Sequence, residues 1–147
     1  MYTLTKLIAV SALLFNLAAL SIKGADIDDL TWEINEDDTV SIIDCKEDAT
    51  GDLIIPDRID RRIVTSIEDF AFQSCSSLTN VTIGNSVTYI GLSAFAACTS
   101  LTGITIPDSV TTIGSGVFFG CSSLAGITIP DSVTTIGSGV FQFCSSL

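Results

Sequence analysis

Histidine is absent from this chain of 147 residues. Its absence removes the commonest general base and the commonest neutral metal ligand. Basic residues are scarce as well, 6 Lys and Arg against 17 Asp and Glu. A chain so acidic repels nucleic acid and anionic membrane surfaces, which argues against both as partners. Five cysteines are present, but no CxxC pair, so the spacing of zinc ribbons and redox dithiols is missing. Without His a serine nucleophile needs Lys, and past residue 24 the only lysine is Lys46. Gly114-Ser115-Gly116 is not a phosphate loop, since no Lys follows it and no helix is expected there. No D-x-[DN]-x-[DN]-G calcium loop occurs in the acidic stretch. The expectation is a chain with no catalytic residues, cofactor or metal.

What the chain does have is repetition. Residues 101–123 read LTGITIPDSVTTIGSGVFFGCSS, and residues 124–146 repeat them with three changes, Thr102/Ala125, Phe119/Gln142 and Gly120/Phe143. Residues 78–100 are a looser copy, and residues 64–77 a partial one. Self-similarity at one fixed period in this range marks a solenoid.

The chain divides into unequal parts. Residues 1–24 have the form of a secretory signal: Lys6, then an apolar run over residues 7–20 broken only by Ser11 and Asn16, then small residues. The run is short for a membrane span, so no membrane insertion is expected after cleavage. Residues 25–52 are the acidic part. Leu30, Trp32 and Ile34 alternate with polar residues, Glu36-Asp37-Asp38 makes a turn, and Val40 and Ile42 resume the alternation. This predicts a β hairpin capping the first coil. Residues 53–147 form the stack, with Leu53-Ile54-Ile55-Pro56 matching Ile104-Thr105-Ile106-Pro107. The first coil carries five extra residues, among them Arg58, Arg61 and Arg62. These arginines read as a solvated turn offset by Asp57 and Asp60, or as a contact for an acidic ligand.

The columns of the repeat have separate physical meanings. Leu78, Leu101 and Leu124 form one, continued by Leu147. Val81/Ile104/Ile127 and Ile83/Ile106/Ile129 lie on the inner face of a short strand, which turns Thr82, Thr105 and Thr128 outward. Pro107 and Pro130 end that strand. Val87/Val110/Val133 and Ile90/Ile113/Ile136 mark a second β-rich segment, and Gly91, Gly114 and Gly137 a tight corner. Phe72, Phe95, Phe118 and Phe141 fill the centres of successive coils. Residues 115–123 have room for a helical or 3₁₀ turn only. One thiol falls in each coil, Cys75, Cys98, Cys121 and Cys144. A ladder of thiols does not converge on one point as a metal site must, and its parallel Cβ vectors disfavour disulfides. These cysteines read as buried apolar thiols. Cys45 stands apart in the cap and is the candidate reactive or intermolecular thiol.

The succession Leu101, Ile104, Ile106-Pro107, Val110, Ile113-Gly114, Phe118, Cys121, Leu124 resembles the BspA-type, or Treponema pallidum-type, leucine-rich repeat. Ala71-Phe72 with Cys75, and Ala94-Phe95 with Cys98, follow the same pattern. The resemblance covers residues 53–147, and the part from Leu30 resembles the β-type cap found before such repeats. It implies a right-handed, β-rich leucine-rich-repeat solenoid with a parallel sheet on one face, in secreted or surface proteins that adhere to other macromolecules. The chain departs from the pattern at Gly84, where Pro is expected, at Glu68, where Gly is expected, and at Val117 and Val140, where Ala is expected.

The function expected is secreted or cell-surface adhesion to a protein or glycan partner. The candidate surface comprises Thr82, Thr105 and Thr128, together with the variable residues Phe119, Gln142 and Phe143. Alternatives are a spacer within a larger surface protein and the accessory repeats of a longer secreted enzyme. The chain stops at Leu147, the first residue of a further coil. The last coil is therefore expected to lack a cap, to expose Ile127, Ile129, Val133, Ile136 and Phe141, and to fray or self-associate. The signal reading has a direct check. The intact mass of the exported protein should correspond to a chain beginning at Ala25 or Asp26, and a mass retaining residues 1–24 would contradict secretion by cleavage.

Overall fold

The computed structural model describes residues 24–147, so the predicted signal lies outside the described residues apart from Gly24. A capping-box 3₁₀ turn, Ile27–Asp29, leads into strand β1, Leu30–Ile34, which pairs antiparallel with β2, Val40–Cys45. Asn35 N–H donates to the Thr39 carbonyl at 2.9 Å, and Asp38 takes a left-handed φ of 64° in the turn between them. The solenoid follows as β3 (Gly51–Ile55), β4 (Arg58–Ile59), β5 (Arg62–Ile67), β6 (Leu78–Ile83), β7 (Tyr89–Ile90), β8 (Gly103–Thr105), β9 (Thr112–Ile113) and β10 (Thr135–Ile136). No helix among the described residues is long and apolar enough to cross a membrane.

Strand pairing puts two sheets on two sides of the stack, parallel wherever one coil pairs with the next, where the family resemblance implied one. The first, a seven-stranded sheet, runs β1-β2-β5-β7-β9-β10, with β4 folded back on β5. The cap hairpin thus extends this sheet through β2 pairing with β5. The second, the three-stranded β3-β6-β8, carries the L-x-x-I-x-I strands. The third side has neither sheet nor helix. Its turns are hydrogen-bonded from coil to coil: Phe70, Phe72 and Ser74 donate N–H to the carbonyls of Leu92, Ala94 and Ala96 at 2.9, 2.7 and 2.9 Å. The same pattern recurs one coil on, from Ser93, Phe95 and Ala97 to Ser115, Val117 and Phe119. Residues with left-handed φ recur here in two columns, Phe70/Ser93/Gly116/Gly139 and Ser74/Ala97/Gly120/Phe143. This backbone twist turns successive N–H groups toward the neighbouring coil and satisfies them there.

The columns behave as their spacing predicts. Leu78, Leu101 and Leu124 are fully buried, as are Phe72, Phe95 and Phe118. The phenylalanines stack with ring centroids 4.7, 5.8 and 5.8 Å apart through Phe141, within the favourable range for offset aromatic pairs. In the last coil Ile127, Ile129, Val133, Phe141 and Cys144 are only partly buried, Ile136 is 51% exposed and Leu147 is 54% exposed. In the cap, Leu30, Val40 and Ile42 face the core, but Trp32 is half-buried and Ile34 exposed. The register shift opposite Thr31/Trp32 places the extra residue, Ile43, in β2, which lets Ile42 and Cys45 both face the core.

The corner glycines are needed for closeness, not for left-handed backbone. A Cβ on Gly114 would lie 2.7 Å from the Gly91 carbonyl carbon and the Leu92 nitrogen. On Gly91 it would lie 2.5 Å from the Asp69 nitrogen, and on Gly137 2.3 Å from the Ser115 nitrogen. Glu68 is allowed in the first coil because the cap lies beneath it instead of another coil; its N–H donates to the Ile42 carbonyl at 2.8 Å. Gly84 has a similar local cause. A Cβ there would meet the Ile55 carbonyl oxygen at 2.8 Å and the Asp57 nitrogen at 2.9 Å, so proline does not fit above the segment that joins β3 to β4. Gly114→Ala should therefore lower stability by about 1–3 kcal/mol, the usual cost of overpacking against backbone. Gly126→Ala, with nothing within 4 Å of the new methyl, should leave stability unchanged or raise it slightly. Thermal melts of the two variants compare these directly.

Candidate binding surface

The residues singled out from sequence fall on two separate sides. Thr82 and Thr105 are register partners on β6 and β8, and both are exposed. Ile54 precedes them in the row, paired with Thr82 and 69% exposed. Thr128 joins Thr82 and Thr105 in lining a trough of about 500 Å³, with Asn80, Gly103 and Gly126 beside them. The column Asn80/Gly103/Gly126 went unremarked in the sequence reading; its small residues just before the strand Ile are the signal that marks it. No charged side chain lines the trough.

One rim is fixed by Asp52 at the start of the sheet. Its carboxylate accepts from Thr79 Oγ1 at 2.7 Å and Asn80 Nδ2 at 2.8 Å. The Asn80 bond, then the Thr79 bond, hold the Asp52 carboxyl below its ordinary value. A depressed carboxyl stabilises the fold above its ordinary pKa, and that contribution is lost as pH falls through the lowered one.

Phe119, Gln142 and Phe143 lie on the turn side. Phe119 and Phe143 meet edge to face at 5.0 Å, exposed by 39% and 66%. Phe143 holds a left-handed φ of 63° at the column position occupied by Gly120 one coil earlier. The arginines form no single patch. Arg62 Nε reaches Asp38 Oδ1 on the cap at 2.6 Å, in place of the expected offset by Asp57 and Asp60, while Arg58 Nη1 donates to the Arg61 carbonyl at 2.8 Å. An exposed pair of this kind contributes on the order of 0–1 kcal/mol.

A hydroxyl ladder runs just before the strands β7, β9 and β10 of the other sheet. Thr88, Thr111 and Thr134 each donate Oγ1 to the backbone carbonyl of the threonine one coil below, at 3.2–3.3 Å. Ser109 and Ser132 make the corresponding bonds to Val87 and Val110 at 2.7 and 2.8 Å. These hydroxyls are used to join coils.

The cysteines serve the same end from inside. The thiols of Cys98, Cys121 and Cys144 donate to the carbonyls of Phe72, Phe95 and Phe118 at 3.1, 3.1 and 3.0 Å. All five cysteines are free. Cys45 departs from its reading as an isolated reactive thiol: it is 3% exposed and lies beneath Cys75, whose thiol points to the Cys45 and Lys46 carbonyls at 3.8 and 3.7 Å. The reason is topological, since β2 runs parallel to β5 and its end enters the stack as the lowest rung of the thiol column. A thiol–thiol contact with Cys75, then burial, pushes Cys45 up, and the same contact lowers Cys75 against its burial. Burial raises Cys98 strongly and Cys121 to about 12. Native-state labelling at neutral pH should therefore be slow at Cys45, Cys75, Cys98 and Cys121 and faster at the half-buried Cys144, with all five labelled after denaturation without reductant. Fast native labelling of Cys45 would contradict its place in the column.

Comparison with known proteins bears on the whole stack. The chain is similar to a solved leucine-rich repeat protein of T. pallidum, with 29% identity and a TM-score of 0.73 over 85% of this chain and 69% of that one. It is similar to a leucine-rich repeat protein from Bacteroides capillosus at 31% identity and a TM-score of 0.72, covering 81% of this chain and 90% of that one. A leucine rich cell surface protein from Faecalibacterium prausnitzii matches at 28% identity and a TM-score of 0.60, over 82% of this chain but 37% of that one. No curated protein matches. The profile of the BspA type leucine rich repeat region matches residues 55–147 in six copies. With that match over residues 55–147, the chain belongs to the BspA-type leucine-rich repeat family.

Proposed function

We infer that the chain is a non-catalytic binding module displayed outside the cell, which adheres to a protein or glycan through the threonine-lined face of the β3-β6-β8 sheet. The observation that carries this reading is the trough itself. Residues from successive coils, Thr82, Thr105 and Thr128, bring their hydroxyls to one open, uncharged surface of about 500 Å³, a size usual for ligand clefts. The threonines just before β7, β9 and β10 are committed to coil-to-coil bonds. An extracellular setting is supported by the form of residues 1–24 and by similarity to a protein described as a cell surface protein. A spacer role is the second reading, and the observation favouring it is the near identity of residues 101–123 and 124–146.

The test is solid-phase binding to panels of immobilised extracellular proteins and glycans. A variant carrying Thr82→Lys, Thr105→Lys and Thr128→Lys should lose at least about tenfold in affinity for whatever the parent binds, the equivalent of ~1.4 kcal/mol. A second variant, Phe119→Ser with Phe143→Ser, should retain binding. The opposite pattern would move the site to the turn side, and no binding by the parent to any panel would favour the spacer.

A further inference from the structure

This inference rests on that reading of the β3-β6-β8 face and specifies the chemistry of the occupant. The coils of Leu101 and Leu124 are joined on two of their three sides. Next to β10, the N–H groups of Thr134 and Gly137 donate to the carbonyls of Thr111 and Ile113 at 2.9 and 2.8 Å. On the turn side, Gly116, Phe118 and Gly120 donate to Ser138, Val140 and Gln142, each at 2.9 Å. On the remaining side the ladder stops. The sheet ends at β8, and no backbone hydrogen bond joins residues 102–107 to residues 125–130. Ile104 and Ile106 accordingly retain 9% and 8% exposure, against 1% and 2% for Val81 and Ile83 one coil below.

The sequence contains a reason for the gap. Thr102 ties its coil to the one below twice, through N–H and Oγ1 to the Thr79 carbonyl at 2.8 and 3.0 Å. Ala125 stands in the same column and has no hydroxyl with which to repeat the second bond. The strand that follows is otherwise the same in both coils, GITIP.

We propose that the free edge of β8 takes an extended peptide strand from a partner protein, seated in the trough between β8 and residues 126–128. Alternate residues of a parallel strand turn both N–H and C=O to the same side, so β8 presents unpaired groups of both kinds away from β6. Such an edge is a template for another strand, and strand addition draws affinity from the main chain and specificity from alternate side chains. Gly126, with nothing within 4 Å of where a Cβ would stand, leaves room for close backbone approach. The lining carries no charge, so the inserted residues are uncharged ones such as Thr, Val and Ile; a charge there would lose hydration with nothing in return. A glycan would hydrogen-bond the threonines without needing the strand edge, which separates the two occupants experimentally.

The probe is a fluorescein-labelled peptide with the sequence of residues 101–109, the stretch that already pairs with β6. It is titrated into the full chain by polarisation, alongside two versions N-methylated at alternate residues so that each blocks one edge. Saturable binding is expected, with hydrogen exchange slowed at residues 103–105. N-methylation of at least one alternate set should weaken binding by about tenfold or more, the loss of several hydrogen bonds of ordinary net strength. Ala125→Thr, which restores the missing hydroxyl and favours closure, should weaken the parent peptide by about fivefold to tenfold. No saturable binding, equal binding of all three peptides, or binding without slowed exchange at residues 103–105 overturns strand pairing. If the peptide fails while the threonine-to-lysine variant loses its macromolecular partner, strand pairing falls and the face stands. If the peptide occupies the edge while that variant keeps its partner, the edge stands and the proposed face falls.

Discussion

No coil of this protein satisfies itself; each depends on the coil beside it. A single turn of chain offers a few apolar side chains and a ring of N–H and C=O groups, and neither is buried or paired until a neighbour is laid against it. The described residues answer this demand on every side with a different device. One side uses a sheet continuous from the cap to β10, another uses β3-β6-β8, and the third uses turns whose N–H groups reach the next coil. Hydroxyls and thiols add rungs at carbonyls that already accept a backbone N–H, as Thr111 does at Thr88 and Cys121 does at Phe95. The cap belongs to the same logic. β2 enters the sheet as though it were a preceding coil, and Cys45 becomes the lowest thiol of the column.

Close stacking then decides which residues a column tolerates. Gly91, Gly114 and Gly137 lie where the backbone below leaves no space for a methyl group. The departures from the repeat pattern follow from the same constraint read in reverse. Glu68 has no coil beneath it, only the cap, so the demand for glycine lapses. Gly84 sits against the segment that joins β3 to β4, where a ring would strike Ile55 and Asp57. Substitutions that look like erosion of a motif are local responses to what lies one layer down.

This distinction sets what was legible in the sequence. Columns that point inward repeat the same chemistry at the same spacing, so Leu101, Phe118, Ile113 and Cys121 were readable as core, and Thr82, Thr105 and Thr128 as outward. The cap hairpin was readable from alternation at Leu30 and Val40, though the bulge at Ile43 in β2 and the exposure of Ile34 were not. Cys45 was misjudged because its place depends on β2 joining β5, a long-range pairing with no local signature. The hydrogen-bonded turn side was hidden for another reason. Its left-handed positions are glycine at Gly116 and Gly120 but phenylalanine or alanine at Phe70, Ala97 and Phe143, so no residue type marks the column. Arg62 found Asp38 across the cap, where nearness in sequence had pointed to Asp57 and Asp60.

The weakest rung is where such a stack yields first, because its cohesion is close to a sum of neighbour contacts. Between the coils of Leu101 and Leu124 the thiol of Cys144, the stacked rings of Phe118 and Phe141 and the β9–β10 pairing all persist. These hold two sides together; on the third, Thr102 has given way to Ala125. One missing hydroxyl contributes only about 0.5–1.5 kcal/mol in net terms, too little to loosen the coil as a whole. It acts on a side where residues 125–130 form no strand and Gly126 lends no side-chain contact. The solenoid thereby remains closed around its phenylalanine core while one sheet edge opens beside the threonine row. Stability and accessibility are assigned to different sides of the same coil.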